Sequence, residues 1–284
     1  MGEKLDAMAR VARLSVALTC VALVATACGG GDGGDGGLAG YEVRSETVSD
    51  ESTQDIWVFT PQSEGSWPVV MLLHGLDGVG EAMAETGSQL AAHGLVVFAP
   101  TYRTDMSTEQ GMADLESDIT CAYRYAIANA DRYNGDLDQP ITVAGWSLGA
   151  TYALEGGLTS EEQPIACGAE LPLPEVVVAI SGCHYQFDES QFDFDPSGWG
   201  NKDATVLLIG GEEDATCAAF QSEDAAAELR EAGYDVDLVI IEGADHPGPI
   251  FHEFVDGEFV LTPDDPAGTQ TVDLIVDAIE SRSG

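Results

Sequence analysis

The sequence predicts an α/β domain: a mostly parallel central sheet of about eight strands, helices on both faces, and a small cap or none. Three observations carry this. Short continuous apolar runs recur along the chain, helical stretches separate them, and a Gly-x-Ser-x-Gly pattern follows one of the runs. Apolar runs without alternation mark strands covered on both faces, and alternation with helices favours parallel pairing, with reactive groups beyond the strands' carboxyl ends.

Tyr41–Val48 and Gln54–Thr60 alternate polar and apolar residues and read as antiparallel edge strands. Val69–Leu73, Leu95–Ala99, Ile141–Ala144, Val176–Ile180, Thr205–Ile209 and Val236–Ile241 are the continuous runs, each expected to be covered on both faces. Helices are expected over Gly80–Ala92, Thr108–Tyr133, Ser147–Leu158, Cys217–Ala232 and Thr269–Ser281, with Gly94, Gly135 and Gly233 as stops. No internal repeat is visible.

The amino terminus has a different character. Lys4, Arg10 and Arg13 precede an uncharged apolar run, Leu14–Ala27, that ends in small residues before Cys28. This is the pattern of a cleaved secretory signal, and the run is shorter than the roughly 18–20 residues that span a bilayer. Ala25-Thr26-Ala27-Cys28 followed by a Gly/Asp-rich stretch resembles a bacterial lipoprotein signal, in which the cysteine is lipidated and the tether is a flexible coil. The expected organisation is a signal peptide over 1–27, lipidated Cys28 and linker over 28–40, and the α/β domain over 41–284. It places the protein outside the cytoplasm, held to the membrane by its lipid; plain secretion with cleavage after Ala27 is the alternative.

Composition limits the partners. With 50 acidic against 10 basic residues and a formal charge of −40, the chain is repelled by nucleic acid and by anionic membrane surfaces. Once the signal is removed and Cys28 acylated, Cys121, Cys167, Cys183 and Cys217 remain, an even number in an oxidising compartment, which suggests two disulfides. Three pairings are open; the order of strands mildly favours Cys183 with Cys217 and Cys121 with Cys167. No cysteine or histidine spacing matches a zinc site, so neither a metal nor a cofactor is expected.

Gly145-Trp146-Ser147-Leu148-Gly149 directly follows the strand-like run Ile141–Ala144. A nucleophile elbow needs small residues on both sides of the serine so that a tight strand-to-helix turn lifts its hydroxyl above the sheet edge. Ser147 is therefore the candidate nucleophile, and the N–H of Leu148 a candidate oxyanion donor. His74-Gly75-Leu76-Asp77-Gly78 follows the run Val69–Leu73, and a glycine-rich turn there presents a second donor, the N–H of Leu76. Gly210-Gly211-Glu212-Glu213-Asp214 follows the next-to-last run. Asp214 is the candidate acid, with Glu212 and Glu213 as competitors. His246 follows the last run and is the candidate base; His252 is its rival, while His74 is read as shaping the oxyanion loop. Nucleophile, acid and base then follow in the order this architecture imposes.

Ser181–Ala204, between two core strands, is where a cap would sit, and it carries Tyr185, Phe187, Phe192, Phe194 and Trp199. It either lines an apolar pocket or plugs a loop. His184, Tyr185 and Trp146 are the candidate substrate contacts, with Trp146 alternatively packing under the elbow.

These residues resemble the α/β-hydrolase superfamily over nearly all of 41–284. His74–Gly78 and Gly94–Arg103 look like the dienelactone hydrolase, chlorophyllase and polyester hydrolase side, whereas Arg132–Asp136 running into the Ser147 elbow is similar to carboxylesterases. The cysteine nucleophile of dienelactone hydrolases proper is replaced by Ser147. The resemblance implies a serine esterase acting through an acyl-enzyme on a small-molecule or polymeric ester. A peptidase or amidase of the same fold, and a non-catalytic surface lipoprotein, are the other readings. Sequence does not give the oligomeric state.

Overall fold

The computed structural model describes residues 40–49, 52–76, 78–159, 171–185, 194–256 and 258–283. The signal segment, Cys28, nearly all of its linker, Asp77, Cys167, Phe187 and Phe192 lie outside the described residues. Eight strands form one sheet: β1 (Gly40–Ser49), β2 (Ser52–Thr60), β3 (Val69–Leu73), β4 (Val96–Pro100), β5 (Ile141–Trp146), β6 (Val176–Ile180), β7 (Thr205–Gly211) and β8 (Asp235–Ile241). Their spatial order is β1-β2-β4-β3-β5-β6-β7-β8. β1 and β2 are antiparallel, as are β2 and β4, and all pairs from β4 to β8 are parallel.

The helices cover both faces. Val70, Leu72, Ala144, Val178 and Ile209 pack with Leu90 of α1 (Ala84–Ala92) and Ile275 of α5 (Pro266–Arg282). The alternate residues point the other way. Met71, Leu73 and Val143 meet Leu115 of α2 (Glu109–Asn129) and Tyr152 of α3 (Leu148–Leu158), while Val177, Ala179, Val206 and Leu208 meet Leu229 of α4 (Phe220–Glu231). This two-sided burial is why the central strands lack polar alternation. Thr108 caps α2 by accepting the N–H of Gly111, and Asp265 caps α5 by accepting that of Ala267, with Pro266 at the first helical position.

The structure departs from the sequence reading in identifiable places. β2 is interior, because β4 pairs with its second edge. β8 is the outer strand; Asp235 and Asp237 are exposed and Leu238–Ile240 only partly buried, since no further strand covers it. Asn134, in the left-handed region at φ 61°, ends the turn after α2 in place of Gly135, and a Cβ on Gly135 would stand 2.8 Å from Val69 Cγ2. A two-stranded hairpin, β9 (His252–Val255) with β10 (Glu258–Leu261), was not expected. Its signal was present in Asp256-Gly257 between apolar-alternating segments, and Asp256 has the positive φ, 52°, that such a turn demands.

Candidate active site

Strand β5 runs straight into α3 through Ser147, whose backbone sits at φ 56° and ψ −120°. A non-glycine residue there is strained, and the strain is held by neighbours that leave no room to relax. A Cβ on Gly149 would approach the carbonyl oxygens of His74 and Leu73 to 2.5 and 2.7 Å, and a Cβ on Gly145 would overlap the carbonyl of Gly149. The flanking glycines are thus required by close backbone approach. Ser147 N–H donates to Ile180 O at 2.9 Å, tying the elbow to the end of β6.

The Ser147 hydroxyl lies 3.0 Å from His246 Nε2, and His246 Nδ1 lies 2.8 Å from Asp214 Oδ2. All three side chains are buried. The consistent proton assignment has Nδ1–H donating to the carboxylate and Nε2 accepting from the serine. Asp214 is itself oriented: its Oδ1 accepts the N–H groups of Thr216 and Cys217 at 2.8 and 2.7 Å. Those bonds form a turn that delays the start of α4 from Cys217 to Phe220. Glu212 is occupied elsewhere, accepting the N–H of Gly243, and Glu213 donates its own N–H to Ala244 O. His252 is held apart from Ser147, with Nδ1–H donating to Ile250 O and its ring stacked on Phe259 at 4.0 Å.

The turn after β3 closes over the serine, since a Cβ on Gly75 would stand 3.1 Å from Ser147 Cβ. Leu76 follows Gly75 in that turn, and Leu148, as the first residue of α3, has an N–H with no intrahelical acceptor. His74 braces the turn. Tyr102 N–H donates to its Nε2, its Nδ1–H donates to Gly75 O, its carbonyl accepts the Tyr102 hydroxyl, and the two rings stack at 3.9 Å. Burial lowers the His74 pKa to about 4, so the ring is neutral at pH 7. Tyr102 carried no local sequence signal for this role. A cleft of about 610 Å³ is bordered by Leu76, Arg103, Met106 and Asp114. Arg103 fixes its wall with a two-pronged hold on Asp118 and a third bond to Asp114.

The three expected substrate contacts all make packing contacts in the structure. Trp146 is buried, and its indole N–H donates to His246 O at 2.9 Å, so it packs beneath the site. His184 is fully buried beside Phe194, its pKa lowered to about 4 by burial, and neither ring nitrogen has a partner among the described residues. Tyr185 lies over α4, its ring against Phe194 and its hydroxyl facing Glu228. Phe194 and Trp199 pack onto the core between β6, β7 and α4, so the described aromatics of the insertion form a plug, because the apolar surface there is already available to cover. Cys183 and Cys217 form a disulfide; Cys121 is also disulfide-bonded. Among the described residues no cluster of His, Cys, Asp and Glu could hold a metal ion, and no helix is long and apolar enough to cross a membrane.

Comparison with known proteins adds to this geometry. The model of BD-FAE, an α/β-hydrolase family, matches residues 55–191, a stretch that includes the Gly75 turn and Ser147 but ends before Asp214 and His246. An uncharacterized protein of Mycobacterium tuberculosis is 29% identical over 236 residues, covering 78% of this chain and 77% of that protein. Among solved structures, a thermophilic esterase of Thermogutta terrifontis with propionate bound superposes with a TM-score of 0.65 at 16% identity, over 85% of this chain and 94% of that one. A truncated carbohydrate esterase from gut microbiota gives 0.64 at 17% identity, over 87% and 97%. The same Thermogutta terrifontis esterase has also been solved phosphoramylated by tabun, with a TM-score of 0.64 at 16% identity, over 87% of this chain and 96% of that one.

Proposed function

We propose that this chain, an α/β-hydrolase, is a serine hydrolase that cleaves carboxylic ester bonds through an acyl-enzyme intermediate. The observation that carries the reading is the unbroken line from Ser147 Oγ through His246 to Asp214, at 3.0 and 2.8 Å. Ser147 Oγ attacks the ester carbonyl carbon as His246 Nε2 takes its proton, and Asp214 stabilises the imidazolium that results. The carbonyl oxygen becomes an oxyanion that accepts the N–H groups of Leu148 and Leu76. Collapse breaks the carbon–oxygen bond, and the alcohol leaves with the proton from His246. Water then attacks the acyl-enzyme by the same route and releases the acid. The cleft bordered by Leu76 has the volume of a small-molecule site. The esterases of similar fold support the choice of ester over amide.

Part of the proposal is that the domain works outside the cytoplasm, tethered through lipidated Cys28. The sequence around Cys28 supports this, as does the Cys183–Cys217 disulfide, which belongs to an oxidising compartment. Turnover of p-nitrophenyl acetate and butyrate by the purified chain, with Ser147→Ala as control, tests the reaction. We expect hydrolysis that the control abolishes and fluorophosphonate labelling of Ser147; absence of both overturns it. Metabolic labelling with a palmitate analogue, lost in Cys28→Ser, tests the tether.

A further inference from the structure

We propose that Trp146 is a positioning residue for the base, and that the β9–β10 hairpin acts on the reaction through it. This rests on the serine hydrolase reading above. His246 needs two things held at once, the direction of its ring and the place of its main chain. Asp214 fixes the ring at Nδ1. The main chain is held from the opposite side: the Trp146 indole N–H donates to the carbonyl of His246 itself, at 2.9 Å and out of solvent. Trp146 is also the residue immediately before Ser147, at the end of β5. One side chain therefore joins the strand that carries the nucleophile to the loop that carries the base.

The indole is in turn confined. A Cβ on Gly75 would meet its six-membered ring at 2.6 Å, and the His246 ring lies 4.9 Å from it, centre to centre. Phe259 of β10 lies against it at 5.6 Å, and Phe259 is stacked on His252 of β9. The hairpin is anchored to the base loop by His252 N–H, which donates to Pro247 O. Phe254 stands opposite Phe259 in the strand register and packs on it at 5.6 Å, continuing the aromatic row outward. The oxyanion turn, the base and the hairpin thus meet on one indole, and a shift of the indole moves the base relative to Ser147. Displacements of this size matter because near-attack geometry is steep in distance.

The test is steady-state kinetics on a short-chain ester with Trp146→Phe, which keeps an aromatic ring and removes the N–H. The expected result is a fall in kcat of about tenfold, the value of one buried hydrogen bond, with KM within twofold and an equal fall in the rate of fluorophosphonate labelling. A residue that merely contacted substrate would raise KM and leave labelling by a small fluorophosphonate unchanged. Phe259→Ala, on the half-exposed hairpin, supplies an independent reading if Trp146→Phe does not fold. We expect about threefold lower kcat, unchanged KM, and recovery in Phe259→Tyr. Unchanged kcat in the folded variants, or a rise in KM alone, overturns the inference while leaving the hydrolase reading intact. A wild-type chain with neither turnover nor labelling of Ser147 overturns that reading instead.

Discussion

Asp214 divides its carboxylate between two tasks: Oδ2 meets His246 Nδ1 at 2.8 Å while Oδ1 accepts the N–H groups of Thr216 and Cys217. The backbone bonds leave the side chain one orientation, with its free oxygen turned to the histidine. Asp214→Asn preserves the Oδ1 bonds and therefore presents an NH₂ group to His246. The ring must then accept at Nδ1 and carry its proton on Nε2, where it faces Ser147. We expect kcat to fall by about 10³–10⁴-fold with stability nearly unchanged, measured by ester turnover and thermal unfolding together.

Gly149→Ala tests the elbow itself. Its added methyl has no flexible neighbour to displace, since the nearest atoms are the backbone carbonyls of His74 and Leu73. We expect destabilisation of about 2–3 kcal/mol and loss of activity. Urea unfolding with an unchanged slope and a lower midpoint is the signature.

Two buried histidines predict acid sensitivity. His74 and His184 each have a folded pKa lowered to about 4 by burial, against an ordinary value of 6.5. Between those values the unfolded chain binds protons that the folded chain does not, so their contribution is fully present above about pH 6.5. It is lost as pH falls toward 4. Each contributes on the order of 3 kcal/mol over that window. The thermal midpoint measured from pH 7 to pH 4 should fall less steeply in His184→Leu than in the wild type.

The Cys183–Cys217 disulfide, 34 residues apart in sequence, closes the loop that carries Asp214. Replacing both cysteines by alanine should cost about 3–4 kcal/mol of stability. Because the Cys217 N–H also orients Asp214, kcat should fall with KM unmoved. A stability loss with full kcat would separate the covalent tie from the orientation of the acid.

Much of this architecture was legible locally. The central apolar runs became strands because burial on both faces removes any need for polar alternation, and the serine elbow showed itself through two glycines that close backbone approach requires. The β9–β10 hairpin was legible in principle through Asp256-Gly257 and was missed because its strands are short and half exposed.

What the sequence determined by itself was periodicity and order along the chain: the strands, the turns at their carboxyl ends, and the succession Ser147, Asp214, His246. Only the tertiary structure decided which of three adjacent carboxylates faces the histidine and why His246 meets Ser147 while His252 stacks on Phe259. It alone turned Trp146 inward to the carbonyl of a residue 100 positions away. The physical reason is that local patterns record whether a side chain is buried, whereas its partner is set by which distant segments the sheet brings to the same edge.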